Sequence, residues 1–369
     1  MQLSGSKCLV VKVGSALLVD EEKQSFNIDW LTSLIADLVH YSKQGTSVVL
    51  VSSGAMAYGK LSLNLTNKPI SLDRKQAIAA VGQVQLMHQY QLLLSPHGLT
   101  AGQVLLSMVD TENRRRYINV RNTLKELLAM GIIPIINEND SVATEEIRYG
   151  DNDRLAARVA QLVDAEHLVL LSDIDGFYTD DPRRDPNAKL MPQVDALTPD
   201  ILNMAKESST NYGSGGMITK LAAAEIAIKS GCHMLITAGK HAHPLQTYDK
   251  HRIGTWFKAD KTPTNAKKIW LQQHLQPVGG LVIDAGASEA LQRGASLLPV
   301  GIVDVQGPFH KGDVITLLDS AQKPLGRGIV NYSSQEVLSI KGKNASDINN
   351  TLGYDGCHEV VHRDNLIIL

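Results

Sequence analysis

From the N-terminus to about residue 260, short apolar runs alternate with stretches of helical period. The apolar runs are Cys8–Val13, Ser47–Val51, Leu99–Leu105, Ile132–Ile136, Leu168–Leu171 and Met234–Thr237. Between them, apolar residues recur every three or four positions in Ile28–Tyr41, Asp73–Leu94, Asn113–Ala129, Asp153–Val163 and Ile218–Lys229, with Gly45 closing the first helix and Gly231 the last. This order predicts an α/β three-layer sandwich, a mainly parallel sheet covered by helices on both faces. In open sheets of that kind ligands sit beyond the carboxyl ends of the strands, so the residues just after each strand are where chemistry is to be sought.

Beyond Trp256 the texture changes. Residues 259–277 are rich in Lys, Thr, Asn and Gln with little periodicity, as in a linker. Short β-like runs then follow, Leu281–Asp284, Ile302–Val305, Val314–Leu318, Gly328–Val330 and Val337–Ile340, separated by Gly and Pro turns and interrupted by a helical stretch, Ala287–Arg293. That spacing predicts a small β-rich barrel. The expected organisation is a catalytic domain over 1–258, a linker over 259–277 and a second domain over 278–369.

Composition narrows the class. With 43% hydrophobic and 20% charged residues and a net charge of -2, the chain is neither disordered nor fibrous, and its overall charge points to no polyanionic partner. Cys8, Cys232 and Cys357 are odd in number and far apart, which argues against a disulfide framework and against a zinc site. The N-terminus enters a strand without the apolar core of a signal peptide, and no apolar stretch reaches membrane-spanning length. A cytoplasmic protein without a membrane partner is expected.

The strand ends carry a consistent set: Lys12 with Gly14-Ser15, Ser52-Ser53-Gly54, Asn137-Glu138-Asn139-Asp140, and Ser172-Asp173. Gly213-Ser214-Gly215-Gly216-Met217-Ile218-Thr219-Lys220 runs directly into a helix. Glycines there let backbone N–H groups approach a ligand, and the first helical turn offers unpaired donors and a positive dipole end to phosphate. Lys220 is electrostatically misplaced near a helix N-terminus unless an anion compensates it. Lys12 ends an otherwise apolar strand, so its charge faces either solvent at an edge or a polar crevice. Two lysines converging on one phosphoryl group would stabilise the charge it carries during transfer.

Gly150-Asp151-Asn152-Asp153 opens another helix with more polar groups than capping requires. Asp153 could hold the lysines, and Asn152 could point at substrate. Gly54-Ala55-Met56-Ala57-Tyr58-Gly59-Lys60-Leu61 nearly spells a phosphate-binding P-loop, but Leu61 stands where the magnesium-binding hydroxyl is required. His241, His243 and His251 fall close together without an acidic neighbour in sequence and read as solvated.

In order and spacing, Lys12-Val13-Gly14-Ser15, Val51-Ser52-Ser53-Gly54-Ala55, Asn137 to Asp140, Gly150 to Asp153 and Gly215 to Lys220 resemble the amino-acid-kinase family, and within it the members that phosphorylate the side-chain carboxylate of glutamate. Arg293-Gly294-Ala295-Ser296-Leu297-Leu298-Pro299-Val300-Gly301 resembles the entry to a PUA domain. The resemblance implies roles for single residues. Lys12 and Lys220 would stabilise the transferring phosphoryl group with Asp153 orienting them; Ser53, Asp140 and Asn152 would bind L-glutamate; Lys12, Gly14, Ser172, Asp173 and the run Ser214, Gly215, Gly216, Met217, Ile218, Thr219 and Lys220 would contact ATP. Relatives often carry Thr-Asp for Ser172-Asp173 and Gly-Thr-Gly-Gly for Gly213 to Gly216, changes that keep a hydroxyl.

The implied reaction is in-line attack of the γ-carboxylate on the γ-phosphorus of ATP with Mg2+, in the first step of proline synthesis. A carboxylate is ionised at neutral pH, so no general base is needed. L-proline is the implied feedback inhibitor, and a homo-oligomer is expected. Rival readings are a kinase of the same fold acting on acetylglutamate, aspartate, carbamate or a nucleotide, and an RNA-binding protein. The tail interleaves Lys311, Lys323, Arg327, Lys341 and Lys343 with Asp304, Asp313, Asp319 and Glu336, so RNA binding is not expected as the main role.

Overall fold

Strand β1 (Cys8–Val13) is buried on both faces, and its alternation sorts the layers. Cys8 and Val10 point into one apolar core, Leu9, Val11 and Val13 into the other. The structure is a computed structural model that describes residues 1–20, 25–65, 70–142, 151–207, 216–266 and 277–368. It divides into two units, Met1–Pro263 and Thr264–Leu369. Of the stretch read as a linker, 267–276 lie outside the described residues.

The first unit is built on an eight-stranded sheet. Its strands are β1, β2 (Ser47–Ser52), β3 (Ala101–Leu106), β4 (Ile133–Glu138), β5 (His167–Ser172), β6 (Gln193–Val194), β7 (His233–Ala238) and β8 (Thr255–Phe257). They lie in the order β6-β8-β7-β5-β1-β2-β4-β3. From β7 to β3 every neighbouring pair is parallel, whereas β8 runs antiparallel to β7 and β6 pairs parallel with β8. The chain leaves β1 toward β2 on one side and reaches β5 on the other, which puts the topological switch at β1. The carboxyl ends of β2, β1 and β5 therefore meet at the position where such sheets bind ligands.

One face of this sheet packs against α5 (Asp151–Leu162) and α7 (Met217–Lys229) through Leu155, Ala156, Val159, Leu221, Ala224 and Ala227. The other packs against α1 (Ile28–Lys43) and α3 (Leu72–Leu94) through Leu31, Leu34, Leu38, Leu86 and Leu94. Each such leucine contributes roughly 1.5–3 kcal/mol on burial. Helix α4 (Arg114–Ala129) starts from Asn113, whose side chain accepts a hydrogen bond from Arg116 N.

Helix α2 (Ala55–Ser62) carries the near-miss P-loop sequence, and its glycine serves packing. A Cβ at Gly82 of α3 would lie 1.8 Å from the Ala55 carbonyl oxygen, and one at Gly59 would lie 2.0 Å from that of Ile78. The two helices thus touch main chain to main chain, an approach only glycine allows.

His243 is exposed, as expected, but it has an acidic partner that its sequence surroundings did not show. Trp30, Ser33, Asp37 and Tyr41 form one polar face of α1 directed at the segment after β7. The Trp30 indole donates to Gly239 O (2.6 Å), the His243 N–H donates to Ser33 Oγ (3.0 Å), and the Tyr41 hydroxyl donates to Asp249 (2.7 Å). Fully buried Asp37 accepts from the Leu245 and Gln246 backbone N–H groups at α8 (Pro244–His251) and stands 3.0 Å from His243 Nδ1. Burial pushes its carboxyl above the ordinary range despite these donors. His241 and His251 remain exposed.

At the opposite end of the sheet, His167 packs against Trp256 and His233, and its Nδ1 is buried with no hydrogen bond among the described residues. Burial, aided by His233, pulls its pKa from 6.5 to about 4. The unfolded chain then takes up the proton first as pH falls, so the stability held above pH 6.5 is lost between 6.5 and about 4. The loss amounts to at most about 3 kcal/mol. Urea denaturation at pH 7 and pH 4.5 should show a smaller acid loss for His167→Leu than for the wild type; equal losses would remove His167 as the cause.

The second unit is a five-stranded mixed sheet of β9 (Gly279–Ile283), β10 (Ile302–Gln306), β11 (Val314–Leu318), β12 (Pro324–Ile329) and β13 (Leu366–Ile368), in the order β10-β9-β11-β12-β13. Helix α9 (Ala285–Gln292) is capped by the Asp284 side chain. One expectation fails here. Val337–Ile340 is not a strand but lies in helix α10 (Ser334–Ile340), because Ser333 and Glu336 form a capping box and Val337 and Ile340, three apart, share the buried face. The three cysteines are free.

Candidate active site

Period two along β1 carries Lys12 to the same face as Cys8 and Val10, toward α5 and α7. Both helices begin at the carboxyl end of the sheet, as crossovers between parallel strands require, and their first turns meet the lysine there. Lys12 Nζ lies 2.7 Å from Asp153 Oδ1, and Lys220 Nζ lies 3.2 Å from Asp153 Oδ2. The Thr219 hydroxyl stands 3.2 Å from the same Oδ2 and 2.7 Å from Gly216 O, tying the start of α7 to this carboxylate.

The Asp153 side chain is 1% exposed, and those of Lys12 and Lys220 are 10% and 8% exposed. Two ammonium groups meet at one carboxylate in a poorly solvated place, an arrangement that favours an anionic ligand beside them. Burial alone would push the Asp153 carboxyl up, but the charges of Lys12 and Lys220 override it and hold it below the ordinary carboxylate range. Gly14 adjoins the cluster: a Cβ there would stand 3.9 Å from Lys12 Nζ.

A neutral polar cluster sits beside this charged one. The Ser53 N–H donates to Val13 O (3.0 Å), and Gly54, in the left-handed region, then turns the chain into α2. Asn152, next to Asp153 on α5, donates from Nδ2 to Ser53 Oγ at 2.7 Å and lies 3.4 Å from Asn137 Oδ1. Asp140 is partly buried in the turn beyond β4. At the end of β5 the Ser172 hydroxyl donates to Asp173 Oδ1 (3.1 Å), and Ser172 O accepts from the Gly239 N–H (2.7 Å), with Asp173 exposed. Lys12, Asp153, Lys220, Asn152 and Ser53 are therefore brought together, while Ser172 and Asp173 stand on the neighbouring strand end. Gly216 caps α7, followed by Met217, Ile218 and Thr219 in its first turn; Gly150, Ser214 and Gly215 lie outside the described residues.

Residues 7–238 match the amino acid kinase family, and residues 279–352 match the PUA domain. The chain belongs to the amino acid kinase family. It is 50% identical to the glutamate 5-kinase of Paramagnetospirillum magneticum over 99% of both chains. To that of Roseobacter denitrificans it is 45% identical over 99% of this chain and 98% of the other, and to that of Gluconobacter oxydans 46% identical over 100% and 97%. The solved UMP kinase of Ureaplasma parvum covers 68% of this chain, and this chain 97% of it, at 14% identity and a TM-score of 0.46, too distant to bear on the reaction.

Gln83 escapes a reading of sequence alone, and Asn137, read only as part of its strand-end loop, is its partner. Asn137, 2% exposed, donates from Nδ2 to Gln83 Oε1 at 2.8 Å and accepts the Glu138 N–H at 2.8 Å. Gln83 lies on the inward face of α3 with Ile78, Ala79, Gly82, Leu86 and Tyr90. A glutamine on an otherwise apolar stripe is the signal that could have found it.

Proposed function

We propose that the chain transfers the γ-phosphoryl group of ATP to the side-chain carboxylate of L-glutamate, giving glutamyl 5-phosphate and ADP, the step that feeds proline synthesis. The observation that carries this reading is the buried Lys12–Asp153–Lys220 cluster, whose two ammonium groups suit a phosphoryl group and not a neutral reactant. A γ-carboxylate oxygen attacks the γ-phosphorus in line, the bond to the bridging oxygen breaks, and ADP leaves with the electron pair. The attacking group is already ionised, so the site needs orientation and cations in place of a base. Lys12 and Lys220 stabilise the transferring oxygens, and Asp153 keeps the two ammonium groups at a fixed separation.

Ser53, Asn152 and Asp140 are assigned to the amino acid, Asp140 supplying the anion for its ammonium. Gly14, Ser172, Asp173 and the segment Ser214 to Lys220 are assigned to ATP. Mg2+ would come with ATP as part of the substrate and would supply positive charge to its phosphates. Asp153, engaged by two ammonium groups, is not a donor for it. The assignment of 1–258 to catalysis, 259–277 to a linker and 278–369 to the PUA domain belongs to the same reading. So do inhibition by L-proline at or near the glutamate site, a homo-oligomeric assembly and work in the cytoplasm. No helix among the described residues is long and apolar enough to cross a membrane.

A screen of acceptors with MgATP and hydroxylamine, which captures acyl phosphates, tests the proposal. L-glutamate should give strong ADP-linked trapping, with aspartate, acetylglutamate and carbamate near background. Trapping with one of those and none with glutamate would overturn it.

A further inference from the structure

We infer that Gln83 is a positioning residue: by accepting from Asn137 Nδ2 it anchors the side chain whose oxygen decides which way the Asn152 amide faces, and so sets the preference of the site for an acceptor bearing an α-ammonium. The inference rests on the reading of the chain as a glutamate-phosphorylating kinase.

An asparagine amide can be reversed end for end, and only its neighbours decide the matter. For Asn137 the decision is forced. The Glu138 backbone N–H can only donate, so the amide end 2.8 Å from it is Oδ1, and Nδ2 is left facing Gln83. Gln83 must then present its oxygen, and it does, from a side chain of a residue 8% exposed. With Asn137 Oδ1 turned toward Asn152, that second amide has its nitrogen on the near side, within 2.7 Å of Ser53 Oγ and 3.4 Å of Asn137 Oδ1. Reversal would set oxygen against oxygen.

Two consequences follow for a ligand. Asn152 Oδ1 is turned away from Asn137 and Ser53, and it is buried with no hydrogen-bond donor among the described residues. Such an oxygen is costly to leave unpaired and gains from a cation that brings protons. The Ser53 hydroxyl accepts from Asn152 and so keeps its own proton to donate. One acceptor and one donor side by side match the α-ammonium and α-carboxylate of a zwitterionic amino acid. Gln83 has no part in that contact. It acts by anchoring the Nδ2 end of the first amide, whose sense the Glu138 N–H sets.

The test compares wild type with Gln83→Leu, Gln83→Met and Gln83→Glu. The readouts are the Michaelis constants for L-glutamate and ATP and the inhibition constant of glutarate, which has both carboxylates but no α-amine. Removing the acceptor in the Leu and Met variants should raise the glutamate constant about tenfold, the order expected when a site's buried polar group loses its partner, and leave that of ATP within about twofold. The discrimination between glutamate and glutarate should narrow by a similar factor. Gln83→Glu keeps an oxygen for Asn137 Nδ2 and should keep the discrimination. A general loosening of the fold would weaken glutamate and glutarate alike. An unchanged ratio in both apolar variants, in enzyme that still phosphorylates glutamate, overturns the inference alone. A wild type that fails to phosphorylate glutamate overturns the reading beneath it.

Discussion

Lys220→Ala is expected to lower turnover by roughly two to three orders of magnitude, the equivalent of about 3–4 kcal/mol, with far smaller changes in either Michaelis constant. The Lys220 ammonium is nearly sealed from water and is fixed by Asp153 and by its place in the first turn of α7. It cannot relax toward the substrate ground state, so its interaction grows as charge redistributes over the transferring oxygens. Lys12→Ala should behave alike. Arginine should not restore full activity at either position, since a planar fork replaces a compact charge and would have to enter the space beside Asp153. The double variant should fall short of the sum of the single losses, because both lysines act on one group. Near-normal turnover with only a raised Michaelis constant for ATP would reduce Lys220 to a binding contact.

Asp153→Ala should destabilise the kinase unit by about 3–5 kcal/mol, because it removes the buried carboxylate that both ammonium groups share. Adding Lys12→Met should recover part of that loss, leaving one buried charge where there were two. A double variant no more stable than Asp153→Ala in denaturant titration would show that the carboxylate does not offset the lysines. The wild type carries the same dependence on proton activity. The folded-state pKa of Asp153 lies below its ordinary 3.8, so its contribution is complete above that value and is lost as pH falls through the folded-state pKa. The acid loss from His167 sets in at higher pH than that from Asp153.

The central strands were legible in the sequence because burial on both faces leaves a continuous apolar run, and β1, β2, β5 and β7 match their expected ends within a residue. At two and three residues, β6 and β8 are too short to show any period. Val337–Ile340 was misread from composition, although the Ser333 and Glu336 spacing and the three-residue step from Val337 to Ile340 both belong to a helix. In the site, a lysine ending an apolar strand and another opening a glycine-led helix stand out locally. The ties from Gln83 to Asn137, 54 residues apart, and from His243 to Asp37, 206 apart, cannot be paired from local sequence. A glutamine on an apolar stripe marks one end at most, and only the fold makes each side chain the other's neighbour.

The close approach of α2 and α3 has a mechanical meaning. Ala55, whose carbonyl oxygen meets Gly82, follows Ser53 by two residues, and Gly82 immediately precedes Gln83. The spacing between the serine and the glutamine is thus set by main-chain atoms in hard contact, with no rotamer in between that could yield. This side of the candidate site does not yield. On the proposed assignment of Ser53 and Asp140 to the amino acid, an acceptor one methylene shorter or longer than glutamate meets a Ser53 that cannot shift toward Gln83, and any adjustment in reach comes from the turn beyond β4 that carries Asp140.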